Sequence, residues 1–355
     1  MEQSDQLILE TAERIFSDHC SAEAVNSAED GQFPDGLWRA LQESGLLLVW
    51  APETLDGMGG STSLGLSLIR KSAGYALPVP LAGGLTANWL LAQADMASTE
   101  QSSSFALSMG TLPELEDGRL SGEVNAVAFA SEVSQLVVPC LEARQLTMAI
   151  VAVEACDVRQ GSSLAGEPRN TVVLDGTEPL TSSAVSEGVS LQMVRGFAAL
   201  VRAHQIAGAM EHIVALTANY VQERNQFGRP LSRFQAIQHS VADIAAESAL
   251  ANAAIEQADR AVSQPSGELG DILVAIATAK SVAGEAAGKV AQLAHQAHGA
   301  MGFSHEYPLQ QYSRRLWCWR EEFGTEFYWN QWLGEYIALE TRHQGSAWGS
   351  ISRAF

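Results

Sequence analysis

The sequence predicts a mainly α-helical protein with a small β-domain in the middle of the chain. The first observation is the distribution of proline, because eight of the eleven prolines lie at or before Pro179. Proline interrupts helix interiors, so the rest of the chain is free to form long helices. The second observation is a series of short β-rich runs between Ala106 and Leu191, separated by turn-forming residues. The predicted order is helical, then β, then helical.

The first part of the chain is predicted to form an N-terminal helical domain over residues 1–105. Amphipathic patterns indicate helices at Ser4–Phe16, Asp35–Gly45, Ser63–Ala73 and Ala82–Ala92. The side chain of Asp35 is expected to cap the second of them, because a carboxylate can accept hydrogen bonds from the free amide groups of the first turn.

The next segment is predicted to be a reduced middle β-domain over residues 106–190. Its clearest strands are expected at Val124–Ala130, Gln135–Val138, Leu146–Val153 and Asn170–Leu174. Short strands bounded by glycine, aspartate and serine clusters are typical of a small sheet.

Residues 191–355 are predicted to form a C-terminal domain of the four-helix type. The prolines leave the blocks 180–229, 231–264 and 266–307, which are rich in good helix formers and carry apolar residues at helical spacing. Three antiparallel helices of roughly 25–35 residues indicate a bundle. Gly228 is expected to end the first long helix near residues 226–228, and the next helix is expected to begin around Ser232.

Composition excludes several classes of protein. The chain has 21 Lys+Arg against 41 Asp+Glu, a net charge of −20, which argues against nucleic acid and against an anionic membrane surface. No apolar stretch reaches the length of a membrane helix, and the first residues do not resemble a signal peptide. The four cysteines are scattered without metal spacing, which predicts no metal site and favours a reducing, cytoplasmic location.

Two blocks of the C-terminal domain carry residues suited to binding a ligand. Arg224, Arg229 and Arg233 surround Phe227 and two amides, Gln226 and Gln235, as expected for a phosphate- or nucleotide-binding surface. An equally open interpretation is that these arginines cap a helix end and pair with acids. In the second block Gln296 precedes Gly299 and Gly302, which could let the backbone approach a ligand or could simply end a helix.

Together, the two blocks resemble the acyl-CoA dehydrogenase family. The first family signature is matched by Arg224, Gln226, Phe227, Gly228, Pro230 and Leu231, followed by Phe234, Gln235, Ile237, Gln238, Ala242 and Asp243; the second is matched by Gln296, Gly299, Gly302, Phe303 and Glu306-Tyr307-Pro308. The stretches Leu55–Ser63 and Ala76–Leu91 are similar to N-terminal segments of the family, the latter to its shorter bacterial members. Several matches in the same order make the resemblance specific, although it is weak in the middle domain.

This resemblance implies an enzyme that uses FAD to oxidise an acyl-CoA thioester to the 2-enoyl-CoA. In such enzymes a carboxylate removes the proton α to the thioester carbonyl, and electrons pass on to an electron-transferring flavoprotein. By the family pattern, FAD would be contacted by Arg224, Gln226, Phe227, Gln235, Gln296, Gly299 and Gly302, in part across a subunit interface.

The resemblance fails at the catalytic base. The family places a glutamate directly before a Gly-Thr pair, but here Phe323 precedes Gly324-Thr325, and the carboxylate of Glu322 lies one residue earlier. The alternative family position, on the helix before the first motif, falls near Ala198 and also lacks a carboxylate. The middle domain likewise lacks a convincing version of the motifs that hold the flavin ring.

Three hypotheses remain open. The chain is one subunit of a heterotetramer in which a paralogous partner supplies the base, as in shorter bacterial members that act on steroid side chains. Alternatively it is a self-sufficient homo-oligomer whose base has moved to Glu322, or a non-catalytic helical assembly protein of the same fold. The acyl group that is oxidised does not follow from the sequence.

Overall fold

The computed structural model describes residues 3–99, 101–263, 268–344 and 346–352. The N-terminal helices are α1 Gln3–His19, α2 Ala22–Glu29, α3 Asp35–Glu43, α4 Thr62–Ala73 and α5 Leu81–Ala92. The strands of the middle region are β1 Ser103–Phe105, β2 Glu114–Glu116, β3 Arg119–Ala128, β4 Gln135–Glu142, β5 Gln145–Ala152, β6 Asp157–Arg159, β7 Arg169–Thr177 and β8 Thr181–Ala184. The remaining elements are α6 Leu191–Glu223, β9 Asn225–Gln226, β10 Arg229–Pro230, α7 Gln235–Ser263, α8 Leu269–His298, α9 Leu309–Glu321, α10 Glu326–Gln344 and α11 Ala347–Ser352.

The chain divides into two compact units. The first contains residues 1–68 and 78–195, and the second contains residues 69–77 and 196–355. The division at residues 105 and 190 into three domains stays a prediction. Among the described residues, no helix is both long enough and apolar enough to cross a bilayer.

An eight-stranded sheet dominates the first unit. The strand order is β6-β7-β3-β2-β4-β5-β8, and β1 pairs with β4 in parallel. Leu136, Val138 and Cys140 alternate along β4 and are fully buried against Val124 of β3 and Val172 of β7. Val137 and Pro139 between them are buried as well, so β4 is covered on both faces and lies in the interior of the first unit.

Helix α5 is buried on almost every side, which its apolar sequence allows. The one amide among its buried residues, Asn88, is satisfied at both ends. Its side chain donates a hydrogen bond to the carbonyl of Leu47 at 3.0 Å and accepts one from the backbone amide of Thr99 at 3.0 Å. A buried amide without partners would be costly, so these two bonds fix the loops around the helix.

Three long helices form the bundle of the second unit. Helices α6, α7 and α8 have 33, 29 and 30 residues, which confirms the predicted lengths. Ile244, Ala251, Ile255 and Ala258 form the buried stripe of α7, at a spacing that returns to one helix face. The facing side of α8 is rich in buried alanine, and such small side chains allow two helix backbones to approach closely.

Most predicted elements are present, but several details are corrected. The long helix ends at Glu223 rather than near residues 226–228, because Asn225–Gln226 pairs with Arg229–Pro230 in a hairpin. The capping role of Asp35 is wrong: this residue is the first of α3, and no side-chain cap bond precedes it. The sequence prediction also missed α2 and the short strands β1, β2, β6 and β8.

Candidate functional site

The chain turns sharply through a hairpin directly after α6. Asn225–Gln226 pairs antiparallel with Arg229–Pro230, and Phe227 and Gly228 form the turn with φ values of 53° and 80°. Positive φ at both central residues defines the tight hairpin turn that matches strand twist, although it is uncommon for a phenylalanine. The turn exposes 91% of the surface of Phe227 to solvent. An aromatic ring presented in this way is available to a ligand or a partner chain.

The hairpin carries the basic surface that the sequence predicted. Arg224, Arg229 and Arg233 are all exposed, and Arg229 lies over the ring of Phe234 with 4.2 Å between its guanidinium carbon and the ring centroid. Within the part of the chain that the structure describes, none of the three forms an ion pair with a carboxylate. The alternative prediction, that these arginines pair with acids, therefore finds no support among the described residues. Gln226 is exposed in the hairpin, and Gln235 is exposed as the first residue of α7.

The second predicted motif lies at the end of α8. Gln296 is exposed on the last turn, and Gly299 follows the helix with φ 60° and ψ −141°, a conformation that is essentially restricted to glycine. Gly302 is buried, and a Cβ atom at this position would lie 3.0 Å from the Cβ of His298. Gly299 is thus required by its backbone conformation, and Gly302 leaves room for the close packing of His298. Residues 299–303 form a short 3₁₀ turn.

The structure brings the two motifs together. The hydroxyl of Tyr220, on the last turn of α6, donates a hydrogen bond of 3.2 Å to the backbone carbonyl of His298. The phenol ring of Tyr220 and the imidazole ring of His298 also stack, with 4.3 Å between their centroids. The segment that carries Arg224 and the segment that carries Gln296 and Gly299 are therefore neighbours in the second unit.

A tight turn separates α9 from α10 at the position where the family places its base. Phe323 has a φ of 53° and Gly324 a φ of 98°, so two consecutive residues are left-handed. The indole of Trp329 donates a hydrogen bond of 3.0 Å to the carbonyl of Phe323. This buried tryptophan holds the turn in place, and the turn directs the side chain of residue 323 toward α6.

Glu322 is held by an ion pair across the bundle. Its Oε2 atom accepts a hydrogen bond of 2.7 Å from the Nε atom of Arg202, on α6, and the side chains of Arg202 and Glu322 are only 5% and 16% exposed. Arg202 also donates to the side-chain oxygen of Gln205 and lies 5.3 Å from the ring centroid of Phe323. The arginine therefore contacts Glu322 and the residue that replaces the family's glutamate.

Arg202 links the two positions that the family pattern offers for a base, since it lies on α6 after Ala198 and contacts Phe323. Ala198 and Ala199 lie one turn before Arg202 on α6 and are both buried. Neither they nor Phe323 carries a group that could accept a proton. The carboxylate of Glu322 adjoins Phe323 in sequence and pairs with the guanidinium group of Arg202, one helix turn after Ala198.

Lys280 is a fully buried lysine beneath the same turn. Its Nζ atom donates hydrogen bonds of 2.7 Å to the backbone carbonyls of Arg320 and Gly324, with no side-chain surface exposed. The carbonyl of Arg320 belongs to the last turn of α9, where carbonyls lack partners within the helix. Burial lowers the pKa of Lys280 from 10.5 to about 8, although the carboxylates of Glu326 and Glu322 partly oppose this shift. The sequence analysis did not find this residue, because a lysine in an alanine-rich helix looks like a surface residue.

The shifted pKa of Lys280 predicts how stability depends on pH. Below pH 8 the amine is protonated in both the folded and the unfolded chain, so it causes no pH dependence. Between about pH 8 and 10.5 the unfolded chain binds more protons, so the free energy of unfolding rises by about 3 kcal/mol in total. Urea unfolding across this range should therefore show the wild type gaining stability relative to Lys280→Met, a control in which all other titrating groups are unchanged. Parallel pH profiles for the two proteins would contradict the shift.

Comparison with known proteins assigns the family. The N-terminal domain model of acyl-CoA dehydrogenases matches residues 2–108, and the C-terminal domain model of the same family matches residues 191–327. Together the two models cover most of the chain. The chain belongs to the acyl-CoA dehydrogenase family, whose members are FAD-dependent oxidoreductases acting on CH–CH bonds.

Individual relatives agree over nearly the full length. Acyl-CoA dehydrogenase IpdE2 of Mycolicibacterium smegmatis is 26% identical over 321 residues, which cover 89% of this chain and 93% of the relative. The IpdE2 protein of Mycobacterium tuberculosis is 27% identical over 316 residues, covering 87% of this chain and 90% of the relative.

Two solved structures share the fold over almost the whole chain. The ChsE4–ChsE5 complex of Mycobacterium tuberculosis has a TM-score of 0.83 at 21% identity, with 95% of this chain and 98% of that chain covered. A chain of the Tcur3481–Tcur3483 steroid ACAD, in a G363A variant, has a TM-score of 0.84 at 24% identity, with 96% and 99% covered. These matches confirm the predicted acyl-CoA dehydrogenase fold, in which helical regions precede and follow the sheet along the chain.

The residues of the second unit fit the FAD of this family. FAD carries a pyrophosphate, and the hairpin offers exposed guanidinium groups that bind no carboxylate among the described residues. The adjacent Gly299 has no atom within 4 Å of the position of a Cβ, so its backbone is open to approach. Basic side chains next to an open backbone are a suitable environment for a dinucleotide.

Proposed function

We propose that this chain is one subunit of a heteromeric, FAD-dependent acyl-CoA dehydrogenase that converts an acyl-CoA thioester to the 2-enoyl-CoA. In this proposal a paralogous partner subunit supplies the catalytic base, and the assembly is a heterotetramer. The observation that carries it is the turn at residues 322–325, where Phe323 occupies the position of the base and Arg202 holds the neighbouring Glu322.

The ion pair argues against Glu322 as the base of a self-sufficient enzyme. The α-proton of a thioester is weakly acidic, so its removal requires a carboxylate that is positioned against that proton. The Oε2 atom of Glu322 already accepts a hydrogen bond of 2.7 Å from a mostly buried guanidinium group. Releasing it would leave Arg202 buried without its counter-charge, which is costly. A homo-oligomer with Glu322 as displaced base remains the second candidate, because Glu322 is the carboxylate nearest to the family position.

The role proposed for this chain is to bind the cofactor and the partner. Arg224, Gln226, Phe227 and Gln235 hold the pyrophosphate and adenine end of FAD, and Gln296 with the backbone of Gly299–Gly302 contacts an FAD shared with a neighbouring subunit. The guanidinium group of Arg224 supplies charge-assisted hydrogen bonds, and the ring of Phe227 offers an apolar face to the adenine. FAD supplies the hydride-accepting chemistry, while the protein supplies position and the exclusion of water.

The relatives support a heteromeric assembly. Two structures with this fold are named for pairs of proteins, ChsE4–ChsE5 and Tcur3481–Tcur3483, and the second is a steroid ACAD. A steroid-derived acyl-CoA is therefore the first substrate class to test. We further propose three domains with boundaries at residues 105 and 190, a cytoplasmic location, and an electron-transferring flavoprotein as the electron acceptor.

The proposal is tested by purifying the chain alone and together with a paralogue that carries glutamate directly before Gly-Thr. We expect stoichiometric FAD and turnover of acyl-CoA thioesters, measured with an artificial electron acceptor, only for the complex. Replacing the partner's glutamate with glutamine should lower kcat by about 10³-fold, as expected for the loss of a general base. Glu322→Gln in this chain keeps an oxygen for Arg202, so it should leave kcat within about threefold of the wild-type value.

Two results would favour the other candidates. A chain that is yellow and active on its own, and that loses turnover in Glu322→Gln, would identify a self-sufficient enzyme. A complex that assembles without any flavin absorbance would instead identify a structural assembly protein of this fold.

A further inference from the structure

The side chain of His298 links three segments of the second unit. It is the last residue of α8, directly before Gly299, and only 3% of its surface is exposed. Its Nδ1 atom lies 2.8 Å from the carbonyl of Ala294, and its Nε2 atom lies 3.2 Å from the hydroxyl of Tyr307. The ring of Tyr220 stacks on the imidazole, and its hydroxyl donates to the His298 carbonyl.

These contacts define the protonation of the ring. A carbonyl can only accept, so Nδ1 of His298 carries the proton and donates it to Ala294. In the neutral ring Nε2 is then an acceptor, and the hydroxyl of Tyr307 is its donor. Burial lowers the pKa of His298, while burial and the proximity of Tyr220 and Glu223 raise the pKa of Tyr307 to about 12. Both groups are therefore neutral near pH 7, in the state that makes these hydrogen bonds.

The three linked segments are the ones that carry the cofactor motifs. Tyr220 accepts, through its backbone carbonyl, a hydrogen bond of 2.9 Å from the amide of Arg224, so it lies at the base of the basic hairpin. His298 lies between Gln296 and Gly299, and Tyr307 follows the glycine turn. The two motifs are 72 residues apart in sequence, counted from Arg224 to Gln296. The imidazole of His298 lies between them: it stacks on Tyr220 of α6 and contacts the hydroxyl of Tyr307, and the rings of Tyr220 and Tyr307 also meet edge to face.

We propose that His298 is a positioning residue for FAD: its ring fixes the end of α8 against the end of α6, so that Arg224 and the backbone of Gly299 face the same cofactor. This inference rests on the proposed function, which assigns FAD to the two motifs. Without the ring, the hydrogen bond from Tyr220 to the carbonyl of residue 298 remains, but the stacking on Tyr220 and the hydrogen bonds to Ala294 and Tyr307 are lost, so the two motifs are held less firmly relative to each other. Loss of the ring should therefore lower the affinity for FAD and leave the chemistry of the FAD-loaded enzyme unchanged, because the proposal gives His298 no role toward substrate or base.

The experiment measures the dissociation constant of FAD for the assembled complex, freed of flavin and titrated by fluorescence quenching. His298→Ala should raise this constant about tenfold, as expected for the loss of two hydrogen bonds and a stacked ring. His298→Gln keeps an acceptor for Tyr307 and should remain within about threefold of the wild type. Tyr307→Phe removes a single donor and should weaken FAD binding about threefold, which keeps the test informative if His298→Ala does not fold.

A second buried histidine in the same unit serves as the control. His204 lies on α6, is 3% exposed in its side chain, and has Asp259 as its partner at 2.8 Å. It is sixteen residues from Tyr220, which corresponds to about 24 Å along the helix. His204→Ala should lower the melting temperature without changing the affinity for FAD, and excess FAD should restore turnover in His298→Ala.

The inference is overturned if the wild-type complex binds FAD and both His298→Ala and Tyr307→Phe bind it equally well. It is also overturned if His204→Ala weakens FAD binding as much as His298→Ala does, because the effect would then be general destabilisation. Failure of the proposed function gives a different result, since the wild-type complex itself would then bind no FAD.

Discussion

Replacing Arg202 with methionine is expected to lower the free energy of unfolding by about 3 kcal/mol. The substitution keeps most of the volume but removes the guanidinium charge that pairs with the carboxylate of Glu322, whose side chain is only 16% exposed. It also removes the hydrogen bond to Gln205 and the contact of the guanidinium group with the ring of Phe323. Urea unfolding at pH 7 measures the difference, and a change below about 0.5 kcal/mol would contradict a structural ion pair.

Two further variants separate the ion pair from simple loss of an arginine. Arg202→Met combined with Glu322→Met replaces both charges with apolar groups and should recover most of the stability, because neither member of the ion pair is then left without the other. Arg70→Met provides the matched comparison within the same unit. Arg70 pairs with Glu211, but these side chains are 21% and 46% exposed, so its loss should cost no more than about 1 kcal/mol.

Replacing Arg224 with alanine is expected to weaken FAD binding about thirtyfold. A charge-assisted hydrogen bond contributes about 2 kcal/mol, and the guanidinium group of Arg224 is exposed without an acidic partner among the described residues. No competing ion pair has to break when a pyrophosphate binds, so the full interaction is available to the cofactor. Titration of the flavin-free complex with FAD measures the change, which should shrink as the salt concentration rises.

Arg260→Ala is the matched control for Arg224→Ala. It removes one arginine from the same unit, near the C-terminal end of α7. Among the described residues, the guanidinium group of Arg260 donates hydrogen bonds to Gln257 alone. The two variants have the same net charge, so any difference between their affinities for FAD is due to the position of the arginine and not to its charge. Equal affinities for the two variants would remove Arg224 from the cofactor site.

Long elements of this fold could be predicted from the sequence. Helices α6, α7 and α8 are bounded by prolines and carry many apolar residues at helical spacing, so the helical pattern repeats over many turns of each. Strands β3, β4, β5 and β7 have the alternating or continuous apolar pattern of a sheet core. The strands β1, β2 and β6 have three residues each, which is too few for any periodicity to be visible. Their formation depends on the edges that neighbouring strands offer.

The ends of elements were harder to predict than their presence. Gly228 was expected to stop a helix, but it forms a hairpin turn with Phe227, and the helix stops five residues earlier, at Glu223. A glycine two residues before a proline, as in Gly228-Arg229-Pro230, is compatible with both structures. Only the pairing of Asn225–Gln226 with Arg229–Pro230 decides between them.

The family, and the lack of a glutamate before the Gly-Thr pair, follow from the amino-acid sequence alone, since both depend on residue types at fixed spacing. Phe323 before Gly324-Thr325 is visible without any coordinates. The partners of the residues around that position become visible only in the folded chain. Arg202 and Glu322 are 120 residues apart, and Lys280 lies 40 residues from the nearer carbonyl it binds. Such pairs are selected by the packing of helices and by the need of every buried charge for a partner, and neither leaves a local pattern in the chain.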